Sequence, residues 1–393
     1  MMVRTKGRRS ARYDALMHIL IDEAIWGVPT LFTPLGKVRT YTGRALTRDD
    51  LGDADALIVR SVTRVDAALL QGSRVRFVGT VSTGDDHIDR AYLSREGITF
   101  ASAAGFNART VAEYVVAVLL ELAATQGFDL PLKTLGVLGV GRIGSLVARW
   151  GELLGLRVVR CDPPRQRAEG GGGFVSSECL CHEADIVSVH VPLSRAGTDA
   201  TWRMIDAGWL NGMKTGAMLI NTSRGDVMDE EALLTVVQGR RVNAALDVWQ
   251  GEPNVCRELV EACAIATPHV AGYSMDATQR GAMMIRDALA LFSGATAQES
   301  ETNVDHDGSR RIDIPTGSMM DVVRFAVRSS CDVNAMDRAM RNWSKGGGAA
   351  AGFDGLRREA LSRREFGAYS LPSDSSGSDQ TRSILRALGF TLP

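Results

Sequence analysis

Residues 139–144 read Gly-Val-Gly-Arg-Ile-Gly, behind the apolar run that begins at Leu135 and ahead of a helix-forming stretch. In a strand-turn-helix unit each glycine of this spacing has a job. Gly139 makes the tight turn, Gly141 lets backbone approach a pyrophosphate, and Gly144 lets the helix pack close to the strand. The N–H groups that open the helix, at Arg142 and Ile143, then face the phosphates. The next strand-like run ends in Asp162, close to the spacing of about 20 residues expected of the acid that hydrogen-bonds an adenosine ribose. A glycine turn that serves packing alone is the plainer alternative. Asp162 would repel a ribose phosphate, so the pattern selects NAD over NADP, although the Arg142 side chain is long enough to reach a phosphate.

Around this motif the chain alternates short β-branched runs with helix-compatible segments. Before it stand A-L-I-V-R-S (56–61), R-F-V-G-T-V-S (76–82) and I-T-F-A-S (98–102), then a helical stretch from about Asn107 to Ala124. After it come L-R-V-V-R-C-D, A-D-I-V-S-V-H-V-P, G-A-M-L-I-N and R-V-N-A-A-L-D-V. The expected fold class is α/β, with two doubly wound parallel-sheet domains. A helical pattern from Met275 to Phe292 is expected to return to the first of them. The domains are therefore 18–106 with 275–294, discontinuous, and 107–274, which binds the dinucleotide. Residues 295–393 change in composition and are read as a small α+β third domain. Residues 1–17 are read as a disordered basic arm without the apolar region of a secretory signal.

Composition closes several alternatives. The 45 basic and 46 acidic residues nearly cancel, which gives no general reason for a nucleic-acid or anionic-membrane partner. The longest apolar stretch, 111–124, carries Glu113 and Glu121 and is shorter than the span of about 20 residues a bilayer needs. Six cysteines form no C-x-x-C pair, as in a reduced, cytoplasmic chain. Cys179, Cys181 and His182 lack a second ligand pair, so no metal is expected.

Three polar residues follow successive strand-like runs: Arg224 in N-T-S-R-G-D, Glu252 in D-V-W-Q-G-E-P and His269 in T-P-H-V-A-G. Singly, each has a bland reading as a surface ion-pair partner, a turn acid and a core histidine. Together they suit the oxidation of an alcohol beside a carboxylate. That reaction needs a base for the hydroxyl proton, a cation for the carboxylate and the forming carbonyl, and an acid to partner the base. His269, Arg224 and Glu252 supply these in turn. The histidine is expected at the hinge between the domains.

On G-V-G-R-I-G, N-T-S-R-G, D-V-W-Q-G-E-P and T-P-H-V-A-G, in this order, the chain resembles the D-isomer-specific 2-hydroxyacid dehydrogenases over roughly residues 18–293. The resemblance implies a Rossmann-type NAD domain, a flavodoxin-like substrate domain and a catalytic set of Arg224, Glu252 and His269. It implies cofactor contacts at Asp162, Asp247 and Gly272, besides the glycine loop, and substrate contacts at Ser61, Ser82 and Tyr273. Arg60, beside Ser61, is a candidate phosphate contact. I-L-I-D-E-A, F-V-G-T-V-S-T-G-D-D-H-I-D, C-D-P-P and H-V-A-G-Y-S resemble one branch of that family, which implies a small phosphorylated hydroxy acid as substrate. F-D-G-L-R-R-E-A-L-S-R-R-E-F (353–366) resembles that branch's dimerisation domain and implies a homodimer. Ser82 stands where the pattern has threonine and keeps the hydroxyl. A chain with this fold that binds NAD without catalysis is the alternative from another class.

Overall fold

The structure is a computed structural model and describes residues 16–28, 30–170, 172–294, 310–372 and 378–392. Most of the basic arm, residues 295–309 of the third domain read from sequence and part of the glycine run at 170–173 lie outside the described residues. The chain divides into two compact units, one of residues 1–106 with 278–305 and one of 107–277 with 306–393.

In the first unit five parallel strands, β1 (Met17–Asp22), β2 (Gly36–Tyr41), β3 (Ala56–Val59), β4 (Phe77–Thr80) and β5 (Thr99–Ser102), pair in the order β2-β1-β3-β4-β5. That is the flavodoxin-like order. Met17, read with the arm, is buried as the first residue of β1, because its backbone pairs with Gly36 and its side chain is apolar. Successive side chains alternate across the sheet. Leu20, Leu57, Val59 and Val78 enter one core; Ile19, Ile21, Ile58 and Phe77 enter the other, where Ala282, Ile285 and Leu289 of the helix Met275–Ser293 cover them.

In the second unit six parallel strands, β6 (Thr134–Leu138), β7 (Arg157–Cys161), β8 (Ile186–Val189), β9 (Ala217–Asn221), β10 (Val242–Leu246) and β11 (Ile265–Ala266), pair in the order β11-β10-β9-β8-β6-β7. The strand order reverses at β6 and β8, so the crevice for a ligand opens beyond their carboxyl ends. Glycine 139 follows β6 there.

Residues 306–393 group with the second unit. Ile312, Val323, Val327, Phe366 and Phe390 belong to the same core as the helix Ala108–Gln126 and β6. The reason is visible in that helix, whose fourteen consecutive or near-consecutive core positions include Glu113 and Glu121. A helix apolar on nearly every face must be covered on more than its sheet side. The sequence Arg363-Arg364-Glu365-Phe366 docks against it. Arg363 donates to the Thr110 carbonyl at 2.6 Å, Thr110 Oγ1 donates to Glu365 Oε1 at 2.5 Å, and the Phe366 N–H donates to Glu113 Oε1 at 2.9 Å. Arg364 grips Asp276 through Nε and Nη2 at 2.9–3.1 Å. Two residues at Arg310–Arg311 (β12) and two at Tyr369–Ser370 (β13) add a small parallel pair. The exposed edge of β11 is also closed, because Asp337 of the helix Val333–Lys345 accepts the Ala266 N–H at 2.8 Å.

Candidate active site

The glycine loop is shaped as its sequence requires. Gly139 has φ 86°, and a Cβ there would lie 2.8 Å from the His190 carbonyl carbon and the Val191 nitrogen. A Cβ on Gly144 would lie 2.0 Å from the Gly139 oxygen. Only glycine permits either approach. Gly141 differs: a Cβ there meets nothing within 4 Å, so the loop borders open space at that point. Gly141 is also the N-cap of the helix Arg142–Leu153 and brings no side-chain cap to it. The helix's first N–H groups thus face outward with Arg142 and Ile143. Asp162 stands at the end of β7, where Oδ2 accepts the Val140 N–H at 2.7 Å and Oδ1 accepts the Arg165 N–H at 3.0 Å. It ties the loop to the strand that follows.

His269 lies beyond β11 in a left-handed conformation, φ 59°. Such a backbone costs energy in any residue but glycine and needs support from its surroundings. Asp247 gives that support. Its carboxylate, 1% exposed, accepts the Val270 N–H at 2.8 Å, the Ala271 N–H at 2.9 Å and the Thr267 hydroxyl at 2.6 Å. Expected among the cofactor contacts, Asp247 is seen here holding the histidine loop. Tyr114 OH bonds Thr267 Oγ1 at 2.6 Å, and the Trp249 indole donates to the Thr267 carbonyl at 2.9 Å.

With its backbone fixed, His269 places Nδ1 2.7 Å from Glu252 Oε2. The other carboxylate oxygen, Oε1, accepts the Trp249 N–H at 2.9 Å. Burial pushes Glu252 up, but His269, Arg357 and the Trp249 N–H outweigh it and hold the carboxyl below its ordinary range. Arg224 sits on a loop after β9 and donates to its neighbour's carbonyl, Ser223, at 2.8 Å. The next residue fastens that loop to the Glu252 loop: a Cβ on Gly225 would fall 2.1 Å from the Trp249 carbonyl carbon. Glu230 reinforces the junction by accepting the Gln250 N–H at 2.5 Å, while Gln250 Nε2 donates to the Met228 carbonyl at 2.7 Å. Burial raises Glu230 to about 7.

Tyr273 accepts a hydrogen bond from Arg357 through its hydroxyl. Gly272 is packed too closely for a side chain, because a Cβ would lie 2.2 Å from Asn107 Nδ2. In the first unit Arg60 Nε is 3.0 Å from Asp22 Oδ2, an ion pair whose angle misses hydrogen-bond geometry. Ser61 beside it is exposed, and Ser82 is buried.

The family model of the D-isomer-specific 2-hydroxyacid dehydrogenase NAD-binding domain matches residues 108–271. An erythronate-4-phosphate dehydrogenase of Pseudomonas fluorescens (strain Pf0-1) is 40% identical over 95% of this chain and 99% of its own. One of Azotobacter vinelandii is 48% identical over 71% of this chain and 73% of its own. The chain belongs to the erythronate-4-phosphate dehydrogenase family, within the D-isomer-specific 2-hydroxyacid dehydrogenases. Among solved structures, the D-lactate dehydrogenase of Aquifex aeolicus, complexed with NAD and lactic acid, matches with TM-score 0.61 and 26% identity, over 70% of this chain and 96% of its own.

For a member of this family the cofactor is NAD, and the loop fits it: open space over Gly141, uncapped helix N–H groups and a carboxylate at Asp162. Sequence reasoning on the dehydrogenase motifs missed several residues of the site. Arg165 donates to the Val140 carbonyl and lies 3.3 Å from Ser145 Oγ, across the glycine loop; its only signal was its place after Asp162-Pro-Pro. Glu230 gave no local signal, and Arg357 stood in the stretch 353–366 that was read only for dimerisation. Among the described residues no group of three or more His, Cys, Asp and Glu is placed to hold a metal.

Proposed function

We propose that this chain oxidises 4-phosphoerythronate with NAD, converting the C2 hydroxyl to a ketone and giving 2-oxo-3-hydroxy-4-phosphobutanoate, a step towards pyridoxal phosphate. The observation that carries the mechanism is the 2.7 Å contact between His269 Nδ1 and Glu252 Oε2. Donation from Nδ1 to the carboxylate leaves Nε2 of the neutral ring as the acceptor. His269 then takes the hydroxyl proton through Nε2, and the ionised Glu252 stabilises the imidazolium that forms. NAD, when bound, accepts the hydride from C2. Arg224 holds the carboxylate and polarises the forming carbonyl; its planar fork suits a carboxylate better than a lysine would. In the reverse direction the same imidazolium is the proton donor.

The glycine loop and Asp162 are assigned to the cofactor, with Gly272 and Asp247 supporting the residues around it. Substrate contacts are assigned to Arg60, Ser61, Ser82 and Tyr273. The substrate is a small phosphorylated hydroxy acid, and the working form is a cytoplasmic homodimer that pairs through the C-terminal segment. Six free cysteines are consistent with a reducing compartment, and sedimentation tests the dimer.

The experiment is NAD reduction followed by NADH absorbance, with 4-phosphoerythronate, 3-phosphoglycerate and glycerate in parallel, and a second series with a 2-oxo acid acceptor in which the 2-hydroxy acid formed from it is measured. Preference for 4-phosphoerythronate supports the reading. Preference for another acid keeps the mechanism and replaces the substrate, and silence with all three leaves an NAD-binding protein without catalysis.

A further inference from the structure

Arg357 reaches Tyr273 from 84 residues further along the chain. It lies beyond the stretch matched by the NAD-binding family model, which ends at residue 271. The helix that carries it, Ala350–Glu359, packs in the second unit with Phe353 and Leu356 against the same core as Trp249 and Val260. The guanidinium is thereby taken out of water, at 7% exposure.

Its contacts are few for a buried charge. Nη2 donates to the Tyr273 hydroxyl, Cζ lies 5.1 Å from the Tyr273 ring centroid, and Nη1 is 3.7 Å from Asp354 Oδ1. Among the described residues, Nε is buried without a hydrogen-bond partner. A buried guanidinium this sparsely bonded is costly to keep, which argues for a role beyond packing. Its neighbours Tyr273, Glu252 and Asp354 more than offset the burial and keep it cationic.

The chemistry of the contact fixes a direction. Arginine has no acceptor, so the Tyr273 oxygen must accept from Arg357. The phenol's own proton therefore points away from the guanidinium, and the bond polarises the O–H for donation. The ring contact fixes the tyrosine's tilt at the same time.

We propose that Arg357 is a positioning residue of the dehydrogenase site: it sets the orientation of Tyr273 so that the phenol donates its proton to an oxygen of the hydroxy acid. This rests on the assignment of the Glu252–His269 pair to 2-hydroxyacid oxidation. Arg357 acts through Tyr273 and touches neither substrate nor cofactor.

The test is a double-mutant cycle of Arg357→Leu and Tyr273→Phe, with kcat and KM for 4-phosphoerythronate and the affinity for NADH measured by its fluorescence. Each single variant is expected to lower kcat/KM about tenfold or more, as loss of a charge-assisted hydrogen bond does. The double variant should be little worse than the poorer single, NADH affinity should hold, and Arg357→Lys should recover part of the loss. Factors that multiply independently, an unchanged Arg357→Leu enzyme, or NADH affinity lost in step with turnover would overturn the proposal. Where Arg357→Leu fails to fold, Arg357→Lys replaces it in the cycle, with the same non-additivity required. If the wild-type protein ignores 4-phosphoerythronate, the substrate reading fails by itself, and the cycle is run on the 2-hydroxy acid the protein does oxidise.

Discussion

His269 offers Nδ1 to Glu252 Oε2 at 2.7 Å while its backbone is held at φ 59° by hydrogen bonds that converge on Asp247. In the proposed mechanism proton transfer depends on Glu252 while the loop geometry depends on Asp247, and the two dependences separate by mutation. His269→Ala removes the base and should lower kcat by about 10²–10⁴-fold, with NAD affinity nearly intact. Glu252→Gln loses the negative charge and has one acceptor oxygen for two donors, His269 Nδ1–H and the Trp249 N–H, so one of them is left unmatched and kcat should fall as well. Asp247→Ala should reduce both turnover and thermal stability, because it frees the loop. Steady-state kinetics beside thermal unfolding distinguish the three, and unchanged turnover in His269→Ala would remove it from the mechanism.

Gly225 couples the Arg224 loop to the Glu252 loop by contact alone. Alanine there drives a methyl to 2.1 Å from the Trp249 carbonyl carbon, and backbone must move to relieve it. Gly225→Ala should therefore cost about 1–3 kcal/mol of stability, as overpacking does, and lower kcat as well. The control is Gly141→Ala, where a Cβ meets nothing within 4 Å. That variant should keep its melting temperature and lose NAD affinity. Equal thermal destabilisation of the two variants would contradict the packing argument.

What was legible in the sequence follows from how local each signal is. Gly139, Gly144 and Asp162 act within one strand-turn-helix-strand unit, so their spacing records their geometry. The alternation of β-branched runs gave both sheets because buried parallel strands are apolar on both faces. The C-terminal segment was read as a domain from its change in composition, and nothing in its charged Arg363-Arg364-Glu365 disclosed the contacts it makes. Its partners Thr110, Glu113 and Asp276 lie more than 80 residues away. Glu113 and Glu121 were noted only as interruptions of an apolar run, whereas they accept from Phe366 N–H and Asn334 Nδ2. Asp247 followed the family pattern as a cofactor contact, and spacing could not reveal that its oxygens are turned to the backbone of residues 270 and 271.

The Arg364–Asp276 pair predicts how firmly that segment is docked. Both side chains are almost wholly buried, and the contact is bidentate. Arg364→Ala leaves a buried carboxylate unpaired and should cost about 3–5 kcal/mol. Burial raises the Asp276 carboxyl, but Arg364 and the Glu365 N–H bring it below its ordinary value. A depressed folded-state pKa contributes stability above the unfolded value and loses it as pH falls through the folded one. The gap between wild type and Arg364→Ala in urea midpoint should therefore be widest near neutrality and narrow in acid. A gap independent of pH would show that the cost is lost packing, not the ion pair.

Glu113 predicts the opposite slope. It is fully buried beside Glu365, and burial with that neighbour outweighs Arg363 and Arg109 to raise its pKa from 4.5 to about 8. A raised folded-state pKa stabilises fully below the unfolded value, and that contribution is lost as pH rises through the folded one. The wild-type protein should thus lose stability from this group between pH 4.5 and about 8. Glu113→Gln keeps an oxygen acceptor for the Phe366 N–H and for Arg109 while removing the titration. Its urea midpoint should match or fall slightly below wild type at the acid end of that window and exceed it at the alkaline end. Parallel midpoints across the window would mean that Glu113 is ionised throughout, with Arg109 and Arg363 as sufficient partners.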